Sequence, residues 1–440
     1  MVLTKQSNFI CDNISRNEEG ELCLAGVALS SLAKKYGTPL YLYDEDRIRE
    51  KIRAYKSAAA AAFGSRARIL YASKAASFKR IYEIVREEGI GTDVVSIGEI
   101  YTAERAGLDL SLAYFHSNNK TDYDIEYAIE RGVGYFVVDN AEELYAIDRI
   151  AREKGITQNI LLRITPGIDP HTYAAIATGK VDSKFGSAIE TGQADEMVER
   201  ARSLKSLNLK GFHCHVGSQV FDSDVYMRTC KVMLTFVAHI YEKYGYLADE
   251  LDLGGGIGVR YIASQPSPDI AGIIGEVGAY MKELAAELGI TLPTVCFEPG
   301  RSIVADAGLT VYTVGTVKRI TGYKTYVSVD GGMTDNPRFA LYGSPYTFMP
   351  VAAPDMSDTV SCSVVGRCCE SGDILGEDIT LPNSIKRGDL LACLTTGAYH
   401  YSMSSNYNRI PKPPVVMLTG GRDYLVIKRE TPEDIMRLEV

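Results

Sequence analysis

Ala67-Arg-Ile-Leu-Tyr71-Ala-Ser-Lys74-Ala-Ala-Ser-Phe78 runs from an apolar, β-prone stretch into a lysine. A helical pattern follows at once, with Phe78, Ile81, Ile84 and Val85 recurring at helical spacing. One strand is therefore followed by one amphipathic helix, and the pairing repeats along the chain. Apolar runs at 67–73, 91–95, 112–116, 135–138, 159–164, 210–216, 249–253 and 294–298 predict eight strands. Leu144, Ile147, Ile150 and Ala151 carry the helical period after the fourth, and Ser96-Ile-Gly-Glu99 reads as a capping box after the second. Such alternation predicts an α/β fold, a (β/α)8 TIM barrel over residues 41–307, with a doubly wound sheet as the alternative. After Arg301 the texture changes. Thr310-Val-Tyr-Thr-Val-Gly-Thr-Val, Thr325-Tyr-Val-Ser-Val, Thr359-Val-Ser-Cys-Ser-Val-Val and Val415-Val-Met-Leu-Thr predict a C-terminal β domain over 308–440. Residues 1–40 do not fit the strand-helix repeat and are expected to join that β domain.

The composition is that of an ordinary globular enzyme, with 46% hydrophobic and 23% charged residues in a chain of 440. A net charge of -9 without any basic block argues against nucleic acid or an anionic membrane surface as partner. No charged and apolar leader opens the sequence and no run of eighteen apolar residues occurs, so a cytoplasmic protein is expected. Nine cysteines without CxxC spacing predict reduced thiols and no zinc ribbon.

A barrel gathers its chemistry where strands end, at the C-terminal face. Lys74 follows the first strand, Asp93 sits in the second, and His116 and Ser117 end the third. Arg163 ends the fifth, before the loop Pro166 to Gly186, and His215 through Gln219 leave the sixth. Gly254, Gly255 and Gly256 follow the seventh, and Glu298 closes the eighth. Three consecutive glycines let backbone N–H groups approach an anion without a Cβ in the way, beside the turn Pro299-Gly300. A dinucleotide fingerprint fails on spacing, because Val259 stands where the third glycine belongs. His213-x-His215 would suit zinc if further ligands stood at matched strand ends, but the other histidines are scattered at 116, 171, 239 and 400, and no metal is expected. A reactive lysine, an imidazole to cover a ring, phosphate donors and an acid for a pyridine nitrogen together make a site for pyridoxal 5'-phosphate.

Four further motifs extend the pattern: His116-Ser-Asn-Asn-Lys120, Asp330-Gly-Gly-Met-Thr-Asp-Asn-Pro-Arg338-Phe-Ala-Leu-Tyr342, Gly366-Arg-Cys-Cys369-Glu370-Ser-Gly-Asp373 and Gly397-Ala-Tyr399-His-Tyr-Ser-Met-Ser-Ser-Asn-Tyr407-Asn408. With these the chain resembles, over nearly its whole length, the fold-type III pyridoxal phosphate decarboxylases. The resemblance implies an obligate homodimer with shared active sites. It implies that Lys74 holds the cofactor covalently until the substrate's amine replaces it, and that Glu298 pairs with the pyridine nitrogen. His215 is similar to the imidazole over the ring. Ser218, Gly254 to Gly256, Pro299, Gly300, Arg301 and Tyr399 match cofactor-anchoring positions. Cys369 resembles the acid that returns a proton to the α-carbon. Glu370 resembles the carboxylate that receives the far ammonium, and both would reach across the dimer.

Arg301, Arg338 and Tyr342 match positions that hold a distal carboxylate, with Tyr399 a further substrate contact. Guanidinium suits that task because it binds carboxylate bidentately. The implied reaction is decarboxylation of meso-2,6-diaminopimelate to L-lysine and CO2, the last step of lysine biosynthesis. An enzyme acting on ornithine or lysine has no distal carboxylate to neutralise. Departures from the family pattern are Phe339, where proline is frequent, and Ser73, where valine is common. A decarboxylase of another basic or carboxylated amino acid is the alternative enzyme. A silent regulatory relative would be expected to lose Lys74, Glu298 or Cys369, and all three are present.

Overall fold

The computed structural model describes residues 9–168 and 183–440; His171 and most of the loop Pro166 to Gly186 lie outside them. The chain divides into two units, one of Lys51–Gly258 with Pro268–Gly300, the other of Met1–Glu50, Val259–Ser267 and Arg301–Val440.

The first unit is an eight-stranded parallel barrel. Its strands are β1 (Ala67–Ala72), β2 (Gly91–Val94), β3 (Ala113–Phe115), β4 (Tyr135–Val138), β5 (Gln158–Thr165), β6 (Leu207–His213), β7 (Glu250–Asp252) and β8 (Thr294–Phe297). Each pairs in parallel with its neighbours, and Val295 of β8 against Ala67 of β1 closes the ring. These strands are buried on both faces, which is why they read as continuous apolar runs rather than alternating ones. All eight expected strands are present. β6 starts earlier than expected because its outer half alternates, Leu207 and Leu209 inward with Asn208 and Lys210 half-buried, so no apolar run marks it.

Leu70, Tyr114, Val137 and Leu161 fill the barrel axis. At its N-terminal end a polar plug seals the interior. Arg68 donates to the hydroxyls of Tyr114 and Tyr135 at 2.8 and 3.0 Å and pairs with Glu250 at 2.9 Å, while the two rings stack 4.2 Å apart. Ser96 caps the helix Ile97–Arg105 by accepting from the Glu99 N–H. The other half of the expected capping box is rerouted, since Glu99 accepts from the Val95 N–H at 2.7 Å and the Ser73 hydroxyl at 2.8 Å.

The second unit is β-rich. The strand Leu40–Asp44 lies between β9 (Gly308–Ile320), with Leu309 opposite Leu42, and the strand Val415–Thr419, with Val416 opposite Leu42. The expected barrel limits, 41 and 307, are thereby corrected: Leu40–Asp44 is a fully buried sheet strand that the β unit cannot spare, and Val259–Ser267 also groups with it. Residues before 40 belong to the same unit. Leu22, Leu24, Leu29 and Leu32 share one apolar core with Leu40, Leu42, Leu309 and Val416. No helix among the described residues is long and apolar enough to cross a membrane, and all nine cysteines are free thiols.

Between Leu209 and Gly211 the register of β6 against β5 shifts, and a Cβ at Gly211 would sit 1.8 Å from the Glu250 carbonyl oxygen. Gly211→Ala should therefore destabilise the protein by about 1–3 kcal/mol through overpacking. An unchanged urea midpoint would remove Gly211 from the barrel's constraints.

Candidate active site

Glu298, immediately after β8, is the electrostatic centre of the barrel mouth. One carboxylate oxygen lies 2.7 Å from His116 Nε2 and the other 3.2 Å from His213 Nε2. All three are buried, and the imidazoles stand edge to face with centroids 4.8 Å apart. Burial opposes ionisation of Glu298, but the two imidazoles outweigh it and hold its carboxyl well below the usual range. Burial lowers both histidines, so a carboxylate flanked by two neutral rings describes the triad. Its donor atoms also lie within 4.8 Å of one another, close enough to share a metal ion.

Around this centre the mouth is acidic. Asp252, the last residue of β7, is pushed well above the ordinary carboxylate range by burial and by Glu298. Asp93 in β2 is pushed up to about 6 by burial and Glu298 against the pull of His116 and Lys74. Its Oδ1 is buried without a hydrogen-bond partner among the described residues.

Lys74 sits in the single turn Ser73–Ala75 after β1, with an exposed side chain. Its charge nevertheless bears on Asp93, Glu99, His213 and His215, so the amine opens into the mouth rather than onto the outer wall. His215, two residues beyond the end of β6, keeps part of its ring accessible while its surroundings hold it well below its ordinary value, hence neutral and suited to lie against a ring.

The glycine loop packs too tightly for any side chain. A Cβ at Gly254 would meet the Cys214 carbonyl at 2.7 Å, at Gly255 the Glu298 carbonyl at 2.2 Å, at Gly256 the Gly217 carbonyl at 2.4 Å and at Gly300 the Ala72 carbonyl at 2.7 Å. Gly254 and Gly256 also have positive φ, +68° and +114°. The N–H of Gly254 already donates to Asp252 Oδ1 at 2.8 Å, so this residue shapes the loop rather than offering a donor. No described residue accepts from the N–H groups of Gly255 and Gly256. Pro299 fixes the adjoining strand ends through its carbonyl, which accepts from the Ala72 N–H at 3.1 Å. Ser218 is half-buried in the loop after β6, on the same side of the barrel. Lysine, neutral imidazole, ionised buried carboxylate and a cradle of backbone donors fit an aldehyde-bearing pyridine with a phosphate.

In the β unit a second constellation forms around Tyr399, itself strained at φ +66°. The guanidinium of Arg301 lies 4.7 Å from that ring and that of Arg338 5.0 Å, with Arg338 also 5.3 Å from Tyr342. Arg301 donates to the Tyr261 hydroxyl at 2.7 Å and Arg338 to the Tyr346 hydroxyl at 2.9 Å. Both are buried, and no carboxylate among the described residues pairs with Arg338. Arg338, which also donates to Ser344 Oγ at 3.5 Å, is a buried guanidinium with no acidic partner among the described residues, and that suits it to receive an anion. Cys369 and Glu370 are both exposed. Tyr407 donates to Glu370 at 3.4 Å, and Cys368 is pushed up to about 11 by burial, which leaves Cys369 the more accessible thiol.

The partnership of Glu298 with His116 and His213, and the raised carboxyls of Asp93 and Asp252, went beyond what spacing suggested. Their only trace in the sequence is position, each within or directly at the end of a predicted strand.

Residues 45–305 match the family described as "Pyridoxal-dependent decarboxylase, pyridoxal binding domain". The chain is 43% identical to the diaminopimelate decarboxylase of Staphylococcus aureus (strain COL) over 95% of its length and 97% of that protein. It is 42% identical to that of Bacillus subtilis (strain 168) over 98% of each. Its fold is similar to the crystal structure of diaminopimelate decarboxylase from M. jannaschii in complex with L-lysine, with a TM-score of 0.89, 31% identity and 98% of each chain covered.

Because the carboxyl of Asp93 is raised by folding, the folded protein keeps a proton that the unfolded chain has lost between about pH 4 and about pH 6. This group's contribution to stability therefore falls as pH rises through that window. Unfolding free energies of cofactor-free wild type and Asp93→Asn should diverge there, with the variant the more favoured toward neutrality. Parallel pH profiles would contradict the assignment.

Proposed function

The chain belongs to the pyridoxal-dependent decarboxylases and, among them, to the diaminopimelate decarboxylases, and from that membership we propose how its own residues carry out the conversion of meso-2,6-diaminopimelate to L-lysine and CO2. It is a carboxy-lyase that uses pyridoxal 5'-phosphate. When bound, the cofactor supplies an electron sink for the pair left behind as the carboxylate departs. The observation that carries the reading is the ionised carboxylate of Glu298 between two neutral imidazoles, beside an accessible lysine.

Lys74 would hold the cofactor through its aldehyde, with its amine facing the position where the substrate's amine binds. Glu298 holds a proton on the pyridine nitrogen, a task that needs the carboxylate charge to survive burial. His215 would lie against the ring, and the N–H groups of Gly255 and Gly256 with Ser218 and the turn Pro299-Gly300 would receive the phosphate. Arg301, Arg338, Tyr342 and Tyr399 bind the carboxylate that is not lost, which distinguishes this substrate from lysine or ornithine. Cys369 returns a proton to the α-carbon and Glu370 receives the far ammonium. The exposure of Cys369 and Glu370 supports a homodimer in which these two groups serve the partner's site. A cytoplasmic setting fits the nine free thiols.

Incubation with meso-diaminopimelate, L-lysine, L-ornithine and L-arginine, with products identified, tests the reading: L-lysine and CO2 should form from the first, and turnover confined to another substrate would refute it. Lys74→Ala should lose the visible absorbance of the bound cofactor and reduce turnover more than about a thousandfold. Retention of both at wild-type level would exclude Lys74. Arg338→Ala should cost about 1.5–3 kcal/mol in kcat/KM for diaminopimelate and much less for an amino acid lacking the second carboxylate. Equal losses for the two substrates would undo its carboxylate-binding role.

A further inference from the structure

We propose that Asp373 and Asn408 are positioning residues that together aim the thiol of Cys369, an inference that rests on the reading of Cys369 as proton donor. Two consecutive backbone N–H groups are each held by a side chain from a different segment. That of Cys368 donates to Asp373 Oδ2 at 2.7 Å, and that of Cys369 to Asn408 Oδ1 at 2.8 Å. Fixing two successive peptide planes leaves the backbone that carries the thiol little rotational freedom. No hydrogen bond to Cys369 Sγ exists among the described residues, so the backbone is what directs this exposed side chain.

Both acceptors are themselves braced. The second oxygen of Asp373 accepts from the Met333 N–H at 2.6 Å, tying the Cys369 turn to the segment that leads to Arg338. Room for that carboxylate exists only because Gly332 and Gly366 lack side chains, since a Cβ there would lie 2.7 and 2.3 Å from Asp373 Oδ2. Asn408 adopts φ +52°, a left-handed conformation that asparagine tolerates better than most residues. The adjoining loop is held by Asn406, whose amide donates to the Ile410 carbonyl at 3.1 Å and to Glu430 at 2.7 Å. A strained, exposed asparagine so braced is built to present its side-chain oxygen.

Aim matters because the proton has two destinations. Delivered from the thiol to the substrate carbon, it gives L-lysine and leaves a thiolate. Delivered instead to the exocyclic carbon of the cofactor, and followed by hydrolysis with one water, it leaves pyridoxamine phosphate and releases the corresponding amino aldehyde.

Holoenzyme and meso-diaminopimelate test this with Asn408→Gly, which keeps the left-handed backbone but removes the acceptor, Asn408→Asp, which restores it, Asp373→Asn and Cys369→Ala. The aldehyde share of product should rise about tenfold in Asn408→Gly and Asp373→Asn and return toward wild type in Asn408→Asp, with KM changed less than about twofold. In cofactor-free protein, the rate of iodoacetamide labelling at Cys369 should change at least about threefold in Asn408→Gly and recover in Asn408→Asp. The inference stands only if both readouts move; either one unchanged overturns it. An elevated aldehyde share in Cys369→Ala alone would locate the failure in the positioning, whereas a wild-type share there would locate it in the proton-donor reading. Should Asp373→Asn fail to fold, the Asn408 pair decides.

Discussion

A carboxylate that must stay charged inside protein is the constraint from which the barrel mouth is built. Removing an ion from water costs several kcal/mol even after relaxation, and Glu298 is buried. The cost is offset by the imidazoles of His116 and His213, whose Nε2 atoms lie 2.7 and 3.2 Å from its two oxygens. Those imidazoles are placed by the ends of β3 and β6, and the carboxylate by the end of β8. Three strands distant in sequence must therefore close into one ring before the charge can survive. Asp93 and Asp252 show the other outcome: carboxyls in the same crowded mouth are pushed toward the protonated form. Glu298 is thus the carboxyl of the mouth that its neighbours hold in the charged form.

The glycines follow from the same crowding. Gly255 lies against the Glu298 carbonyl and Gly254 against the backbone before His215, so the glycine loop packs directly on the segments that carry Glu298 and His215. In the β unit the logic is reversed. Arg301 and Arg338 are buried cations surrounded by tyrosines, and phenol oxygens satisfy part of their hydrogen bonding without cancelling the charge. A carboxylic acid partner within the protein would have spent that charge. The turn that carries Cys369 and Glu370 is exposed and held through its backbone.

Much of this was legible because several residues are irreplaceable in their type. Lys74 after an apolar run, three glycines in succession and a Glu-Pro-Gly-Arg turn carry chemistry that few substitutes supply, and their order marked the mouth. The boundary between units was less legible. Leu40–Asp44 is as apolar as any barrel strand, and only its pairing with β9 and Val415–Thr419 assigns it to the β unit. Glu99 shows the same gap on a smaller scale. Its spacing from Ser96 announces a cap, yet its carboxylate is drawn to Val95 and Ser73, because the turn carrying Lys74 offers a hydroxyl within reach.

Local sequence by itself determined the alternation of strand and helix, the change to β texture after Arg301 and the identity of the groups that can do the chemistry, because periodicity and side-chain type are local properties. The tertiary structure alone decided which of those groups are charged and which residues hold them. Protonation depends on burial and on neighbours from other strands. Aim depends on hydrogen bonds between segments such as Met333 to Asp373 and Cys369 to Asn408, which no spacing along the chain encodes.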